Sequence, residues 1–301
     1  MRCRHLNPNK ETIRLDRRMI PFLQSSGFHG VARLSALQLD WSLLSALVER
    51  WRPETHTFHL PMGEVTVTLQ DVGVLLGLPI DGRALIADDI PGPGDALLEL
   101  VASIFGCAPE LSRLNGARIP LSFFTSLTPH YLSEDASLDE VRNRTRCCIH
   151  PMYLPFLRDL DTCGQYAWGA VVLAFLYREL CKGCKKGKEE VADCLLLLQL
   201  WAWERLPTLA TIPTAMRLHY SPVWDGQLAP PYGDRWLFYL FFKWEPYSDI
   251  IDDLPAYYLT GRHIWRYRGP LLCIFIVETH VPDRVARQFG MVQSIPPVYS
   301  T

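Results

Sequence analysis

The segment from residue 35 to residue 77 constrains the fold more than any other, because three local signals follow one another there. Residues 35–51 carry Leu, Val and Trp at helical spacing, and Pro53 stops the pattern. Two runs of β-forming residues, 57–60 and 64–68, flank a Pro-Met-Gly turn and predict a short hairpin. Thr68 then serves as an N-cap with Asp71 at N3, and Gly77 ends the helix. The predicted order is helix, hairpin and capped helix.

Most other elements are predicted to be helical. Two long apolar segments, 163–181 and 188–205, are joined by a loop rich in Gly and Lys. We expect them to pair as an antiparallel hairpin with Trp168 and Trp201 inside. Residues 95–105 and 282–289 predict shorter helices, a capping box starts another at Ser137, and residues 271–277 form an apolar run. The predicted fold class is mainly α: a single helical domain with a small β-hairpin near residues 57–68.

Composition and charge exclude several classes of protein. The chain is 49% hydrophobic and 21% charged, which excludes a disordered or low-complexity protein. Its formal net charge of −2 excludes a globally basic nucleic-acid binder. Charge is nevertheless uneven, since residues 1–35 and 262–290 are basic and residues 81–140 are acidic. These regions are either solvated surface or a basic face that meets phosphate or an acidic partner.

The chain shows no sign of membrane insertion or secretion. No clean apolar run approaches the roughly 20 residues that a membrane-spanning helix needs, so we expect no membrane association. The basic N-terminus lacks a following apolar segment, which argues against a secretory signal. The nine cysteines are an odd number and are expected to be reduced thiols of the cytosol or nucleus.

Motifs that carry chemistry are few. Cys181 and Cys184 form a CxxC pair followed by Cys194, but a zinc site usually needs two such pairs, and no βαβ context supports a redox motif. Phosphate-binding glycine loops and the GxSxG hydrolase motif are missing. His56 and His59 are interpreted as surface or cap-bonding side chains. We therefore predict no catalytic, cofactor-binding or metal-binding residues.

A basic segment near the C-terminus forms a candidate nucleic-acid-binding surface. Arg guanidinium groups suit phosphate oxygens, and an interleaved Trp can stack on bases. The candidate residues are Arg262, Trp265, Arg266, Arg268, Arg284 and Arg287. Two structural alternatives stay open. Trp265 can be a core side chain between surface arginines, and the arginines can instead pair with acidic residues, namely Asp249, Asp252, Asp253 or Asp283.

Long stretches of the sequence resemble the plant mobile domain family, also called aminotransferase-like plant mobile domain, and especially its Maintenance-of-Meristems-like members. One is residues 47–81, LVERWRPETHTFHLPMGEVTVTLQDVGVLLGLPID. Others are residues 166–181, YAWGAVVLAFLYRELC, and residues 196–206, LLLQLWAWERL. Near the end, residues 277–297 read VETHVPDRVARQFGMVQSIPP. These stretches occur in order across most of the chain, which makes the resemblance specific.

The resemblance implies a non-enzymatic plant protein of the nucleus, of a type shared between host genes and transposable elements. Host members act in gene expression, transposon silencing and meristem maintenance. Their implied partner is a serine/threonine phosphatase of the phosphoprotein-phosphatase superfamily, and we expect double-stranded DNA as a further partner. The aminotransferase label has no support in the residues, because no lysine with a phosphate cup is evident, so we expect no cofactor.

The resemblance also suggests a domain organisation. Residues 1–34 are expected to form a basic N-terminal arm and residues 35–301 the plant mobile domain. Compared with the family pattern, we expect internal segments to be missing near 146–150 and 236–243, together with the C-terminal end. Apolar side chains at the second junction should then be exposed, namely Trp236, Phe238, Phe241 and Phe242. Two other hypotheses stay open: a phosphatase-binding scaffold without DNA contact, and a transposon-derived fragment without host function.

Overall fold

The computed structural model describes residues 16–32, 39–86, 94–110, 112, 123, 133–146, 151–185, 195–207, 242–259 and 261–296. These residues confirm the predicted fold class, since they are mainly helical with two small three-stranded sheets. One continuous apolar core takes side chains from both sheets and from most of the helices. Among the described residues, no helix combines the length and apolar character that crossing a membrane requires.

The first described residues pack with the rest of the domain. A single 3-10 turn (Arg17–Met19) leads into helix α1 (Ile20–Ser25), and the short helix α2 (His29–Ala32) follows. Met19 and Leu23 are completely buried in the main core. The part of the predicted basic arm that the structure describes therefore contributes to the core, while residues 1–15 lie outside the described ranges.

Helix α3 (Trp41–Arg50) and the first sheet follow the predicted order. Asp40 caps α3 by accepting a hydrogen bond from the Leu43 N–H at 3.1 Å, so the described helix begins after the predicted start at residue 35. The sheet has the order β1 (Trp51–Arg52), β2 (Thr57–Leu60) and β3 (Gly63–Val65), and all its pairs are antiparallel. The predicted hairpin is confirmed.

Helix α4 (Leu69–Leu76) starts directly after the first sheet and is almost entirely buried. Thr68 and Asp71 form the predicted capping box, in which each side chain accepts a hydrogen bond from the backbone N–H of the other. Gly77 ends the helix with a φ of 65°. A Cβ at this position would lie 2.6 Å from the ring of Tyr258, so the left-handed backbone and the close ring both require glycine.

Four further helices agree with the sequence in position. Helix α5 (Asp95–Phe105) packs with Leu154 in a second, smaller core, and helix α6 (Leu138–Arg146) follows the predicted capping box at Ser137. Helices α7 (Trp168–Gly183) and α8 (Leu195–Arg205) carry the two long apolar segments.

The packing of α7 and α8 differs from the expectation, although Trp168 and Trp201 are buried as predicted. Within the described residues, each of these helices packs more extensively against α4 than against the other. The predicted direct pairing of the two long helices is therefore wrong. The physical reason is the apolar surface of α4, which is buried nearly all round and so needs a partner on more than one side.

The second sheet joins distant parts of the chain, and the sequence did not predict it. Its order is β4 (Leu85–Ile86), β5 (Gly269–Ile274) and β6 (Ile276–His280), with β4 parallel and β6 antiparallel to β5. The apolar run at 271–277 is thus a tight hairpin that turns at Phe275. The predicted helix that follows is instead a pair of 3-10 turns (Pro282–Phe289) with a kink at Val285.

A buried ionic cluster centred on Asp71 joins α4, α8 and the segment after residue 242. One carboxylate oxygen of Asp71 accepts hydrogen bonds from Arg205 Nη2 and from the Tyr247 hydroxyl, both at 2.8 Å. The other oxygen accepts from the backbone N–H and the hydroxyl of Thr68, both at 2.7 Å. The Asp71 and Arg205 side chains are fully buried, and Arg205 also donates to the carbonyl of Trp244. Both carboxylate oxygens are therefore paired, as a buried charge requires.

The two junctions at 146–150 and 236–243 lie mostly outside the described residues. Trp236, Phe238 and Phe241 belong to the part that is not described, so their exposure stays a prediction. Phe242 is half-buried and packs edge-on against Trp244, with ring centroids 4.8 Å apart. The expected exposure of Phe242 is therefore not observed.

Replacing Asp71 with Asn should destabilise the protein by about 3–5 kcal/mol, because Arg205 would keep a buried charge without its counter-ion. Denaturant unfolding followed by circular dichroism measures this change. Asp81→Asn is the matched control, since Asp81 is half exposed and contacts His263 at 3.3 Å. The control should change the free energy of unfolding by less than about 0.5 kcal/mol. Equal stabilities for the two variants would contradict the importance given to the cluster.

Glu204 on α8 should make stability depend on pH. Burial raises the pKa of its carboxyl to about 7, although the charges of Lys243 and Arg205 oppose this shift. The pKa in the folded state thus exceeds the ordinary value of 4.5, so folding favours the protonated form. The stabilisation that Glu204 contributes is complete below about pH 4.5 and is lost as the pH rises to about 7, with a slope of at most about 1.4 kcal/mol per pH unit.

Glu204→Gln should remove this slope and raise the free energy of unfolding above neutral pH, because glutamine stays uncharged. Denaturant unfolding at a series of pH values measures the effect. Glu49→Gln, on the exposed end of α3, is the matched control and should leave the slope in place. An unchanged pH profile for Glu204→Gln would contradict the role given to this carboxyl.

Candidate functional site

The first group of predicted nucleic-acid-binding residues surrounds a buried tryptophan. Arg262 begins a 3-10 turn (Arg262–Ile264), and Arg266 and Arg268 follow it with exposed side chains. Trp265 is only 6% exposed, and the guanidinium carbon of Arg262 lies 5.6 Å from the centroid of its ring. Trp265 is therefore a core side chain between surface arginines, as the first structural alternative expected.

The second group lies against the first sheet. Arg284 donates two hydrogen bonds of 2.8 Å to the carboxylate of Glu64 on β3, and its side chain is 19% exposed. Burial opposes the ionisation of Glu64, but the hydrogen bonds and charge of Arg284 outweigh burial and lower the pKa of that carboxyl. Arg287 is exposed and lies 5.4 Å from the centroid of the Trp244 ring. Arg284 thus has a structural ion pair, while Arg287 presents its charge to solvent.

The ion pairs proposed as the second structural alternative are found only in part. Arg262 lies 4.0 Å from a carboxylate oxygen of Asp252, and both side chains are exposed. Arg266 contacts the sulfur of Met291 at 2.8 Å. Arg284 pairs with an acidic residue of the first sheet, Glu64. Nucleic-acid binding by these residues stays a prediction.

The solvent-facing side of the second sheet is apolar. Side chains along β5 and β6 alternate between buried and accessible positions, as the pleat requires. On the accessible side, Leu272 lies opposite Val277, and Ile86 lies opposite Ile274. Phe275 at the turn is 81% exposed, Val277 56% and Ile86 43%. We call this surface the outward sheet face, formed by Ile86, Leu272, Ile274, Phe275 and Val277.

The edge of the second sheet is covered by two side chains. β6 is an edge strand, and its carbonyl groups at Val277 and Thr279 accept hydrogen bonds from Arg178 at 3.3 Å and from His56 at 2.9 Å. An added strand would need these same carbonyl groups. The outward sheet face, rather than this edge, is therefore the part of the sheet that a partner can reach.

A His, a Cys and a Glu from distant parts of the chain converge beside this edge. His56 lies in the turn between β1 and β2, Cys181 in the last turn of α7, and Glu278 in β6. One ring nitrogen, the sulfur and one carboxylate oxygen lie within 4.8 Å of one another. Burial opposes the protonation of His56, but hydrogen bonds with Cys181 and Glu278 outweigh it and raise its pKa to about 10. We call these three residues the His-Cys-Glu cluster.

Neighbouring side chains hold the His-Cys-Glu cluster in place. The rings of Trp51 and His56 stack with centroids 6.0 Å apart and an angle of 17°. The indole N–H of Trp51 donates to the sulfur of Cys181 at 3.3 Å. Nδ1 of His56 donates to a β6 carbonyl, and its Nε2 lies 3.1 Å from Oε2 of Glu278. Arg178 pairs with the other oxygen, Oε1 of Glu278.

Sequence reasoning missed this cluster. The interpretation of His56 as a surface or cap-bonding residue is wrong, because its ring is half-buried and bonded to β6. The sequence pattern groups Cys181 with Cys184, whose sulfur donates to the Cys181 carbonyl at 3.4 Å. Cys194 lies outside the described residues. The partners of Cys181 are far away in sequence, so no local spacing could have indicated them.

The comparison with protein families identifies the family of this domain. The model of the plant mobile domain matches residues 27–300. The chain belongs to the plant mobile domain family. The resemblance read from the sequence is therefore confirmed, and it covers nearly all of the described residues. No solved structure matches this plant mobile domain.

Several relatives from Arabidopsis thaliana align with 98% of the plant mobile domain chain. The Serine/threonine-protein phosphatase 7 long form homolog is 36% identical, and the alignment covers 25% of its length. Protein MAIN-LIKE 2 is 32% identical, with 48% of its length covered. Protein MAINTENANCE OF MERISTEMS is 28% identical, with 66% covered. The chain thus spans between a quarter and two thirds of the length of these relatives.

Proposed function

We propose that this plant mobile domain is a non-enzymatic binding module of the nucleus that acts in gene expression, transposon silencing and meristem maintenance. Its partner in this proposal is a serine/threonine phosphatase of the phosphoprotein-phosphatase superfamily. The observation that carries the proposal is the outward sheet face, an apolar surface on an otherwise well-buried sheet. The nuclear location and the cellular roles rest on membership of the family.

The outward sheet face has the properties of a protein-binding surface. Removing a Phe or Val side chain from water contributes roughly 1.5–3 kcal/mol, so the exposure of Phe275 and Val277 is unfavourable unless a partner covers them. Val277 points outward from a strand whose other side is packed in the core, so its position is fixed before binding. A fixed apolar side chain loses little conformational entropy when a partner binds.

The choice of a phosphatase as the partner is supported by one of the relatives. The name of the Serine/threonine-protein phosphatase 7 long form homolog describes a phosphatase, and the similarity covers 98% of this chain but only 25% of that protein. Most of that protein therefore lies outside the plant mobile domain region. A domain joined to a phosphatase in one protein can bind a phosphatase supplied by a separate chain.

The non-enzymatic part of the proposal is supported by the missing motifs. The sequence contains no phosphate-binding glycine loop and no GxSxG nucleophile motif. The buried cluster at Asp71 has every carboxylate oxygen engaged within the core, so it serves packing rather than substrate binding.

A Phe275→Asp and Val277→Asp double variant should bind the catalytic domain of such a phosphatase at least about tenfold more weakly, because it loses apolar burial and places charges in the interface. Isothermal titration calorimetry with the purified full chain measures the Kd. Leu138→Asp is the matched control, since Leu138 is an apolar side chain that is 57% exposed at the start of α6 and is not part of the outward sheet face. The control should keep the wild-type Kd.

Two results would contradict the phosphatase proposal. One is a wild-type chain that shows no affinity for the phosphatase. The other is a double variant that keeps the wild-type Kd while circular dichroism shows that it is folded.

Binding to double-stranded DNA is a second candidate function, and the exposed arginines favour it. Arg262, Arg266 and Arg268 lie within one seven-residue segment, and Arg287 is also exposed. Guanidinium groups at such positions can contact phosphate oxygens and give an affinity that depends on salt but little on base sequence. Arg284 differs from these four in burial, since its side chain is only 19% exposed and donates two hydrogen bonds to Glu64.

Replacing the four exposed arginines with Ala should weaken duplex DNA binding and flatten its salt dependence by about 0.9 per lost phosphate contact. Fluorescence anisotropy at several salt concentrations measures both quantities. Arg284→Ala is the matched control and should lower stability while leaving the affinity for DNA unchanged. An unchanged affinity in the fourfold variant, or no binding by the intact chain at low salt, would favour a phosphatase scaffold without DNA contact.

A further inference from the structure

We propose that the His-Cys-Glu cluster is a metal site that binds one Zn²⁺ ion through His56, Cys181 and Glu278. The observation behind the proposal is that three different ligand types converge from three separate elements, with their donor atoms within 4.8 Å of one another. This site shares no residue with the outward sheet face or with the candidate arginines, so it does not rest on the proposed function.

The donor set suits zinc in its chemistry. Imidazole nitrogen, thiolate sulfur and carboxylate oxygen are the three side-chain ligands that Zn²⁺ takes in proteins. A thiolate disfavours Mg²⁺ and Ca²⁺, which prefer oxygen ligands only. Binding would release the proton from Nε2 of His56 and the thiol proton of Cys181 to solvent. The thiolate and the carboxylate would then balance the double positive charge of the ion.

The geometry needs only a small adjustment. Zinc–ligand bonds of about 2.0–2.3 Å place the ligands of a tetrahedral site about 3.3–3.7 Å from one another. His56 Nε2 is already 3.1 Å from Glu278 Oε2. The remaining donor atoms are no more than 4.8 Å apart, so they exceed the tetrahedral separations by at most about 1.1–1.5 Å.

The neighbours of the cluster match the outer shell of a metal site. A metal-binding His usually donates its other ring N–H to a carbonyl or carboxylate, and Nδ1 of His56 donates to the Thr279 carbonyl at 2.9 Å. This bond directs Nε2 toward the cluster. Arg178 holds Oε1 of Glu278 and leaves Oε2 as the ligand oxygen. The Trp51 N–H to Cys181 sulfur bond is the kind that stabilises a thiolate ligand.

A zinc ion here would join three elements that are far apart in sequence. Those elements are the turn between β1 and β2, the C-terminal end of α7, and the edge strand β6. The fourth coordination position would be taken by water, because His56 and Cys181 are half-buried rather than closed off. The ion would therefore bind the two sheets to α7 and hold the edge of the second sheet in place.

Metal titration of the purified full chain tests the proposal after its bound metals have been removed with a chelator. We expect one Zn²⁺ per chain by calorimetry. Co²⁺, used as a spectroscopic probe, should give a thiolate-to-cobalt charge-transfer band that Cys181→Ser abolishes. His56→Gln and Glu278→Gln should weaken Zn²⁺ binding by more than about 100-fold, since even outer-shell residues commonly contribute 10- to 100-fold.

Two matched controls separate this site from its neighbours. Cys184→Ser removes the other cysteine of the CxxC pair, and His59→Gln removes the exposed histidine of β2. Both should keep the wild-type affinity for Zn²⁺. Zinc should also raise the Tm of the wild type and of Cys184→Ser, but not of Cys181→Ser, because only the folded state holds the complete site.

Three results would overturn the proposal. The first is the absence of stoichiometric Zn²⁺ binding by the wild type. The second is Zn²⁺ binding that survives Cys181→Ser but is lost in Cys184→Ser. The third is an affinity for Zn²⁺ that is unchanged in both His56→Gln and Glu278→Gln. Circular dichroism checks that both variants are folded.

Discussion

The buried carboxylate of Asp71 ties together the elements on which the rest of the structure depends. One of its oxygens closes the N-terminus of α4 through Thr68, and the other binds Arg205 on α8 and the hydroxyl of Tyr247. A buried charge without partners costs several kcal/mol, so these parts must meet in one arrangement. Burial, together with the charge of Asp71, raises the pKa of Tyr247 and keeps its hydroxyl a donor. Because α4 is fixed in this way, both long helices can pack against it.

The second sheet brings the two functional proposals close together. Its outward face exposes Phe275 and Val277 to a partner, while its edge carries Glu278 and the carbonyl groups that His56 and Arg178 bind. Side chains from the first sheet and from α7 thus hold β6 in position. The same contacts that cover the edge leave the apolar face as the accessible surface. A stable edge and an exposed face are what a protein-binding sheet needs.

The arginines show which properties the positions of charged residues in a sequence can and cannot predict. The sequence places five of them near the C-terminus, but it cannot show which ones are engaged inside the fold. Arg284 meets Glu64, a residue of the first sheet, whereas Arg287 stays exposed only three positions later. Trp265 likewise has the sequence context of a base-stacking residue and the burial of a core residue. The packing of the first sheet against Pro282–Phe289 distinguishes Arg284 from Arg287, and Trp265 is buried in the main core beside α4.

The sequence by itself determined the local structure: the hairpin of β2 and β3, the capping box of α4, the helix at Asp95–Phe105 and the burial of Trp168 and Trp201. These features depend on neighbours within a few residues or on apolar periodicity, so a single chain displays them. Tertiary structure alone decided the second sheet, the packing of the long helices on α4 and the His-Cys-Glu cluster. β4 pairs through two residues with β5, a strand that lies much later in the sequence. Cys181 likewise contacts His56 and Glu278, which are both distant from it in the sequence. Such contacts form because packing brings distant elements together, so residue spacing in the sequence cannot predict them.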